Sequence, residues 1–101
     1  MKVDSKILKD TLYISISGEL DEHTANYARS AMDGQMEQEG FSLVIIDLSE
    51  LDFMDSTGIG VLIGRYKKMK ERQIPIYISN PSVQVDKIFN MSALYDIMPK
   101  V

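Results

Sequence analysis

Four consecutive apolar residues, Leu43-Val44-Ile45-Ile46, followed at once by Asp47, constrain this chain more than any other feature. So short and unbroken a run, rich in β-branched residues, reads as a strand covered on both faces, the position of a central strand in a parallel sheet. Parallel neighbours must be joined by long crossovers, usually helices, and helical patterns stand on both sides of the run. Before it, Thr24 is a suitable N-cap, Ala25, Ala28, Met32 and Met36 recur at helical spacing, and Gly40 is placed to end the helix. After it, Ile59, Leu62, Ile63, Tyr66 and Met69 form a second apolar stripe. That helix closes on Arg65, Lys67, Lys68, Lys70 and Arg72, cations that suit the negative end of a helix dipole.

The remaining segments complete the pattern. Leu12, Ile14 and Ile16 alternate with Tyr13, Ser15 and Ser17, the period of a half-buried strand. Val3, Ile7 and Leu8 suggest a shorter strand before it, joined by a turn at Lys9-Asp10. Ile74 to Ile78 reads as a strand, Asn80-Pro81 as its end, and Val85, Ile88 and Phe89 as a third helix. Tyr95 to Met98 adds a last short strand. The order ββαβαβα(β) predicts an α/β fold: one domain over residues 1–101, a mixed, mostly parallel sheet of four to five strands, with helices packed on it. At 101 residues the chain suits a single core.

Charge and composition narrow the function. A net charge of −4 argues against general nucleic-acid or anionic-membrane binding. Cysteine is absent, which removes disulfides, thiol catalysis and cysteine metal sites. MKVDSKILKD lacks the apolar centre of a signal peptide, and no run approaches the ~20 apolar residues of a membrane span, so a cytoplasmic protein is expected. Seven acids, Glu19, Asp21, Glu22, Asp47, Glu50, Asp52 and Asp55, follow two strands and would converge at one sheet edge if those strands are parallel neighbours. The same residue types are common in solvated turns.

Chemistry concentrates in FMDSTGIGVLIG, Phe53 to Gly64. Asp55, Ser56 and Thr57 are all good N-caps. A helix N-terminus also accommodates an anion, so a hydroxyl here is equally a candidate phosphate acceptor. Gly58 and Gly60 allow another molecule's backbone to approach, and Gly60 and Gly64 lie four apart, where they would let the helix sit close to the sheet. The only histidine, His23, can be drawn with Ser56 and an acid as a triad, but no spacing requires it and no GxSxG elbow is present. Gly58-x-Gly60-x-x-x-Gly64 is one residue too long for GxGxxG, and no GxxxxGK[ST] occurs. The chain thus carries a possible phosphate acceptor without machinery to transfer phosphate. A receiver domain phosphorylated on Asp47 is a rival reading, although only about three βα units are present where a receiver needs five.

Asp47-Leu48-Ser49-Glu50-Leu51-Asp52-Phe53-Met54-Asp55-Ser56-Thr57-Gly58-Ile59-Gly60 resembles the signature of the bacterial anti-sigma factor antagonists, which carry the STAS domain. Gly18-Glu19-Leu20-Asp21 followed by His23-Thr24-Ala25, Gly64-Arg65-Tyr66-Lys67, and Phe89-Asn90-Met91-Ser92 with Leu94 extend the likeness over nearly the whole chain. They are more similar to the sporulation members than to the general-stress members. The resemblance implies a regulator and not an enzyme. Ser56 would be phosphorylated by a partner that is both anti-sigma factor and serine kinase. The unphosphorylated form would bind that partner and release the sigma factor, and a phosphoserine phosphatase would restore binding. Asp21, Asp55, Ser56, Thr57, Gly58 and Gly60 would form the partner surface. No cofactor is implied for this chain, since ATP or ADP and magnesium belong to the kinase. Family members usually continue into a further helix, whereas this sequence stops at Pro99-Lys100-Val101, a departure from the pattern that bears on part of one sheet edge or helix layer and not on the Ser56 loop.

Overall fold

The computed structural model describes all 101 residues. In chain order they form β1 (Lys2–Leu8), β2 (Thr11–Leu20), α1 (Ala25–Met36), β3 (Leu43–Asp47), β4 (Leu51–Met54), α2 (Ser56–Glu71), β5 (Ile76–Ser79), α3 (Val83–Met91) and a 3-10 turn at Leu94–Asp96. The sheet runs β1-β2-β3-β5, and β4 pairs with the far half of β2. Only β1 is antiparallel to its neighbour. The α/β architecture and the mostly parallel sheet are those the sequence predicts.

Register explains the core. Leu12 and Ile14 of β2 lie level with Val44 and Ile46 of β3, which lie level with Ile76 and Ile78 of β5. All six are at most 1% exposed, and each contributes about 1.5–3 kcal/mol by leaving water. Ala25, Ala28, Met32 and Met36 of α1 join the same cluster as expected.

Several expectations are corrected. The Leu43–Ile46 run is fully covered on one face only: Leu43, Ile45 and Asp47 are half-buried. They stand level with Thr11, Tyr13 and Ser15, and Tyr77 and Ser79 flank them on β5. Helix α1 ends at Met36, and Gly40 (φ +98°) belongs to the loop beyond. In α2 the buried face is Gly58, Val61, Leu62, Arg65 and Met69, while Ile59, Ile63 and Tyr66 are partly covered. Arg65 is therefore not a solvated C-terminal cation. Its Nε lies 3.0 Å from Asp33 Oδ1 of α1, with the N–H not directed at the oxygen, and Lys68 Nζ lies 3.0 Å from Oδ2. Burial pulls the Arg65 guanidinium below its ordinary value, and the Asp33 charge opposes that shift.

β4 is a strand where the sequence pattern predicts a loop. Leu51-Asp52-Phe53-Met54 buries its two ends and exposes its middle, so it lacks the period-two signal. It forms because β2, with ten residues, outruns β3, with five, and leaves free backbone for a parallel partner. Gly18 carries the register shift at that junction, with φ +102° and its N–H bonded to the Glu50 carbonyl at 3.0 Å.

The strand expected at Tyr95–Met98 is instead the 3-10 turn, entered through Ala93 at φ +57°. The Tyr95 ring packs 5.0 Å from Phe89, and its hydroxyl donates to Asp86 of α3. Pairing occurs just beyond: the Ile78 N–H bonds the Pro99 carbonyl and the Val101 N–H bonds the Ile78 carbonyl, both at 2.9 Å. Lys100 Nζ closes the arrangement on Asp86 at 2.9 Å. The Tyr95 hydroxyl first, then Lys100, hold the Asp86 carboxyl below its usual range. This contribution is therefore complete above the unfolded value near pH 4 and is lost as pH falls through the lower folded value. Asp86→Asn is expected to lower Tm at pH 7, and its difference from wild type should shrink in melts below about pH 4.

No helix is long and apolar enough to cross a membrane.

Candidate functional site

The parallel pairing of β2 with β4 sets Leu20 level with Met54. The next residues along the two strands, Asp21 and Asp55, are thereby brought to the same end of the sheet, and the Asp55 N–H bonds the Leu20 carbonyl at 3.3 Å. Helix α2 starts immediately afterwards at Ser56.

The cap of α2 is Asp55 alone. Its Oδ1 accepts from the N–H groups of Thr57 at 2.9 Å and Gly58 at 3.2 Å. Ser56 is the first helical residue, it is exposed, and its hydroxyl makes no hydrogen bond within the chain. Of the three residues able to cap this helix, only the first does so. The Thr57 side chain makes no cap bond either and is half-buried.

The two neighbouring glycines divide the roles expected of them. A Cβ on Gly58 would lie 2.4 Å from Met54 Cγ, 2.9 Å from the Leu20 carbonyl oxygen and 3.0 Å from Leu20 Cγ. Gly58 is thus the residue that lets α2 start against β2 and β4. Gly60 and Gly64 would meet nothing within 4 Å, so they do not seat the helix on the sheet. Gly60 stands one turn from Ser56 and leaves that surface bare.

Asp21 has a structural task as well. Its Oδ1 accepts from the N–H of His23 at 2.9 Å and of Thr24 at 3.2 Å, and its own N–H donates to Thr24 Oγ1 at 3.0 Å. This reciprocal arrangement fixes the turn into α1. Asp21→Ala is expected to cost about 1 kcal/mol, with Asp21→Asn, which keeps an acceptor oxygen, close to wild type; thermal melts of the two variants measure the difference.

The seven acids do not all converge, because Asp47 stands apart. Asp47 lies level with Ser15, five residues short of Leu20 on β2, or roughly 16 Å at about 3.3 Å per residue. It accepts instead from the Ser49 N–H at 3.0 Å. Glu19 and Asp52, both exposed, flank Asp21 and Asp55 on their strands. No group of three or more His, Cys, Asp or Glu side chains is arranged to hold a metal ion. The His23 ring is turned to solvent beside Glu22, 3.7 Å away.

One feature of this surface is not disclosed by any sequence pattern. Phe53 is 43% exposed and borders an apolar groove completed by Met54, Gln84, Lys87 and Ile88, between β4 and α3. Only the recognition of Leu51–Met54 as a strand would have placed Phe53 on the outside.

The geometry has counterparts among known proteins. The STAS domain profile matches residues 2–101. The chain is 31% identical to an anti-sigma F factor antagonist of Paenibacillus polymyxa, over 98% of this chain and 85% of that protein. It is 35% identical to an anti-sigma-B factor antagonist of Listeria monocytogenes, over 88% and 77% respectively. One is the broader match and the other the more identical, so the sigma F and sigma B branches are not separated. Among solved structures, the anti-sigma factor antagonist SpoIIAA in its unphosphorylated form superposes with a TM-score of 0.80 at 28% identity, covering 99% of this chain and 88% of that one. The phosphorylated Bacillus SpoIIAA gives 0.73 at 27% identity, covering 99% and 91%.

Proposed function

The chain belongs to the STAS domain family, and on that premise we propose that it is an anti-sigma factor antagonist switched by phosphorylation of Ser56. The observation that carries this reading is the state of the Ser56 hydroxyl. It is exposed at the first position of α2, yet Asp55 performs the capping that would otherwise occupy it. A phosphate there removes no hydrogen bond of the fold. The relatives solved in both phosphorylated and unphosphorylated forms support the same reading.

Unphosphorylated, the protein binds an anti-sigma factor through the surface around Asp21, Asp55, Ser56, Thr57, Gly58 and Gly60, and the sigma factor is released. The Phe53 groove extends that surface with apolar area. Phosphorylation adds about −1.5 to −2 charges and three acceptor oxygens. Because Asp55 already takes the N–H groups of Thr57 and Gly58, the phosphate finds these helix donors occupied and a carboxylate beside it. The added charge therefore acts on the partner. On this reading the chain works by binding and not by catalysis, in the cytoplasm, and the stretches Gly18–Asp21, Gly64–Lys67 and Phe89–Ser92, more similar to the sporulation members, favour sporulation control. The anti-sigma factor is the serine kinase and holds ATP or ADP with magnesium, while a separate phosphatase reverses the modification.

The test is incubation with a cognate anti-sigma kinase, ATP and magnesium, followed by site mapping with mass spectrometry. One phosphate on Ser56 is expected. Phosphate on Ser49 or Thr57 would overturn the site, and labelling of Asp47 by acetyl phosphate would favour a receiver.

A further inference from the structure

β1 forms one edge of the sheet, with β2 as its only partner. The two-residue turn at Lys9-Asp10 closes on the pair Leu8–Thr11, which makes that pair hydrogen-bonded and alternates the ladder from there. Lys6 and Asp4 bond inward to β2, while the backbone N–H and C=O of Val3, Ser5 and Ile7 point away from the sheet. The outward Val3 carbonyl accepts from Gln35 Nε2 of α1 at 3.1 Å, which agrees with this phase. The groups of Ser5 and Ile7 have no partner in the chain. Two large apolar side chains are uncovered on the same strand, Ile7 at 36% and Leu8 at 56% exposed.

We propose that β1 pairs with β1 of a second copy, antiparallel, about a two-fold axis through Ser5. The sequence Lys2-Val3-Asp4-Ser5-Lys6-Ile7-Leu8 is complementary to its own reverse. With Ser5 opposite Ser5, Asp4 of each copy faces Lys6 of the other, on the outer face of the sheet. Val3 faces Ile7 on the inner face, and Lys2 lies beside Leu8. The pairs that would bond through their backbones, Ser5 with Ser5 and Val3 with Ile7, are those whose groups point outward (the Val3 carbonyl sharing its second lone pair with Gln35), while Asp4 and Lys6 meet through their side chains, so register, hydrogen-bond phase and charge agree. Charges on an edge strand commonly prevent pairing, but here the opposite signs flank the axis symmetrically and attract. Val3 is 8% exposed, and pairing sets each Ile7 beside the partner's covered Val3. β3 and β4 pair with the other edge of β2, so both Ser56 hydroxyls remain free. The proposal is independent of the switch.

Sedimentation of the full chain from about 10 μM to about 1 mM tests it. A monomer–dimer equilibrium is expected. Asp4→Lys and Lys6→Asp should each weaken it at least about tenfold, because symmetry doubles every like-charge contact. The double variant D4K/K6D should restore wild-type association. Ser5→Pro removes an N–H that the β1–β2 ladder does not use, so it should give a monomer, with hydrogen exchange confirming an intact sheet. In wild type, the Ser5 and Ile7 amides should become protected as concentration rises. A wild type monomeric throughout would overturn the pairing. Folded single variants that both dimerise normally, or a double variant that stays monomeric, would overturn the register.

Discussion

Ser56→Glu is expected to lose binding to the anti-sigma factor by two decades or more in Kd while melting like wild type. Two decades correspond to about 2.7 kcal/mol. Glutamate brings a negative charge to the start of α2, where Asp55 has already taken the N–H groups of Thr57 and Gly58. With those helix donors occupied, the charge is carried into the interface. Ser56→Ala removes a hydroxyl that bonds nothing in the chain, so it should bind like the unmodified protein and resist the kinase. Isothermal titration with the anti-sigma factor, beside a thermal melt, separates binding from folding. A Ser56→Glu variant that bound like wild type would refute the charge mechanism.

Gly58→Ala should produce the largest loss of stability of any single methyl group near the site. The added Cβ would stand 2.4 Å from Met54 Cγ, which can move, and 2.9 Å from the Leu20 carbonyl oxygen, which cannot move freely. That carbonyl also receives the Asp55 N–H, so relief of the clash disturbs the strand–helix junction. Overpacking of this kind costs about 1–3 kcal/mol, partly offset by roughly 1 kcal/mol of better helix propensity. A net loss near 1 kcal/mol would lower Tm by roughly 4–8 °C. Gly60→Ala is the control: its Cβ meets nothing, so its stability should be equal to wild type or higher.

The contrast between Gly58 and Gly60 also marks what could be read from the sequence. Periodicity disclosed β2, α1 and β5 because each buries a regular subset of side chains. The start of α2 was legible because Asp, Ser and Thr favour helix N-termini. Which of the three caps, and which glycine touches the sheet, depends on the β2–β4 register, and no local pattern encodes that register. β4 itself was hidden because its pairing is set by the length of β2 and not by its own alternation. Arg65 read as a surface cation because its partner, Asp33, is 32 residues away on another helix. Asp47 ends β3 as expected, but the parallel register places it well short of Ser56.

The unbonded Ser56 hydroxyl has a consequence for how a regulatory state would be held. Many switches store information as a shape, which drifts back whenever thermal energy crosses the barrier. Here no part of the fold would need to rearrange on modification, so no conformational relaxation would compete with the signal. The record would reside in a phosphate ester alone, a memory whose lifetime is set by the enzymes that write and erase it.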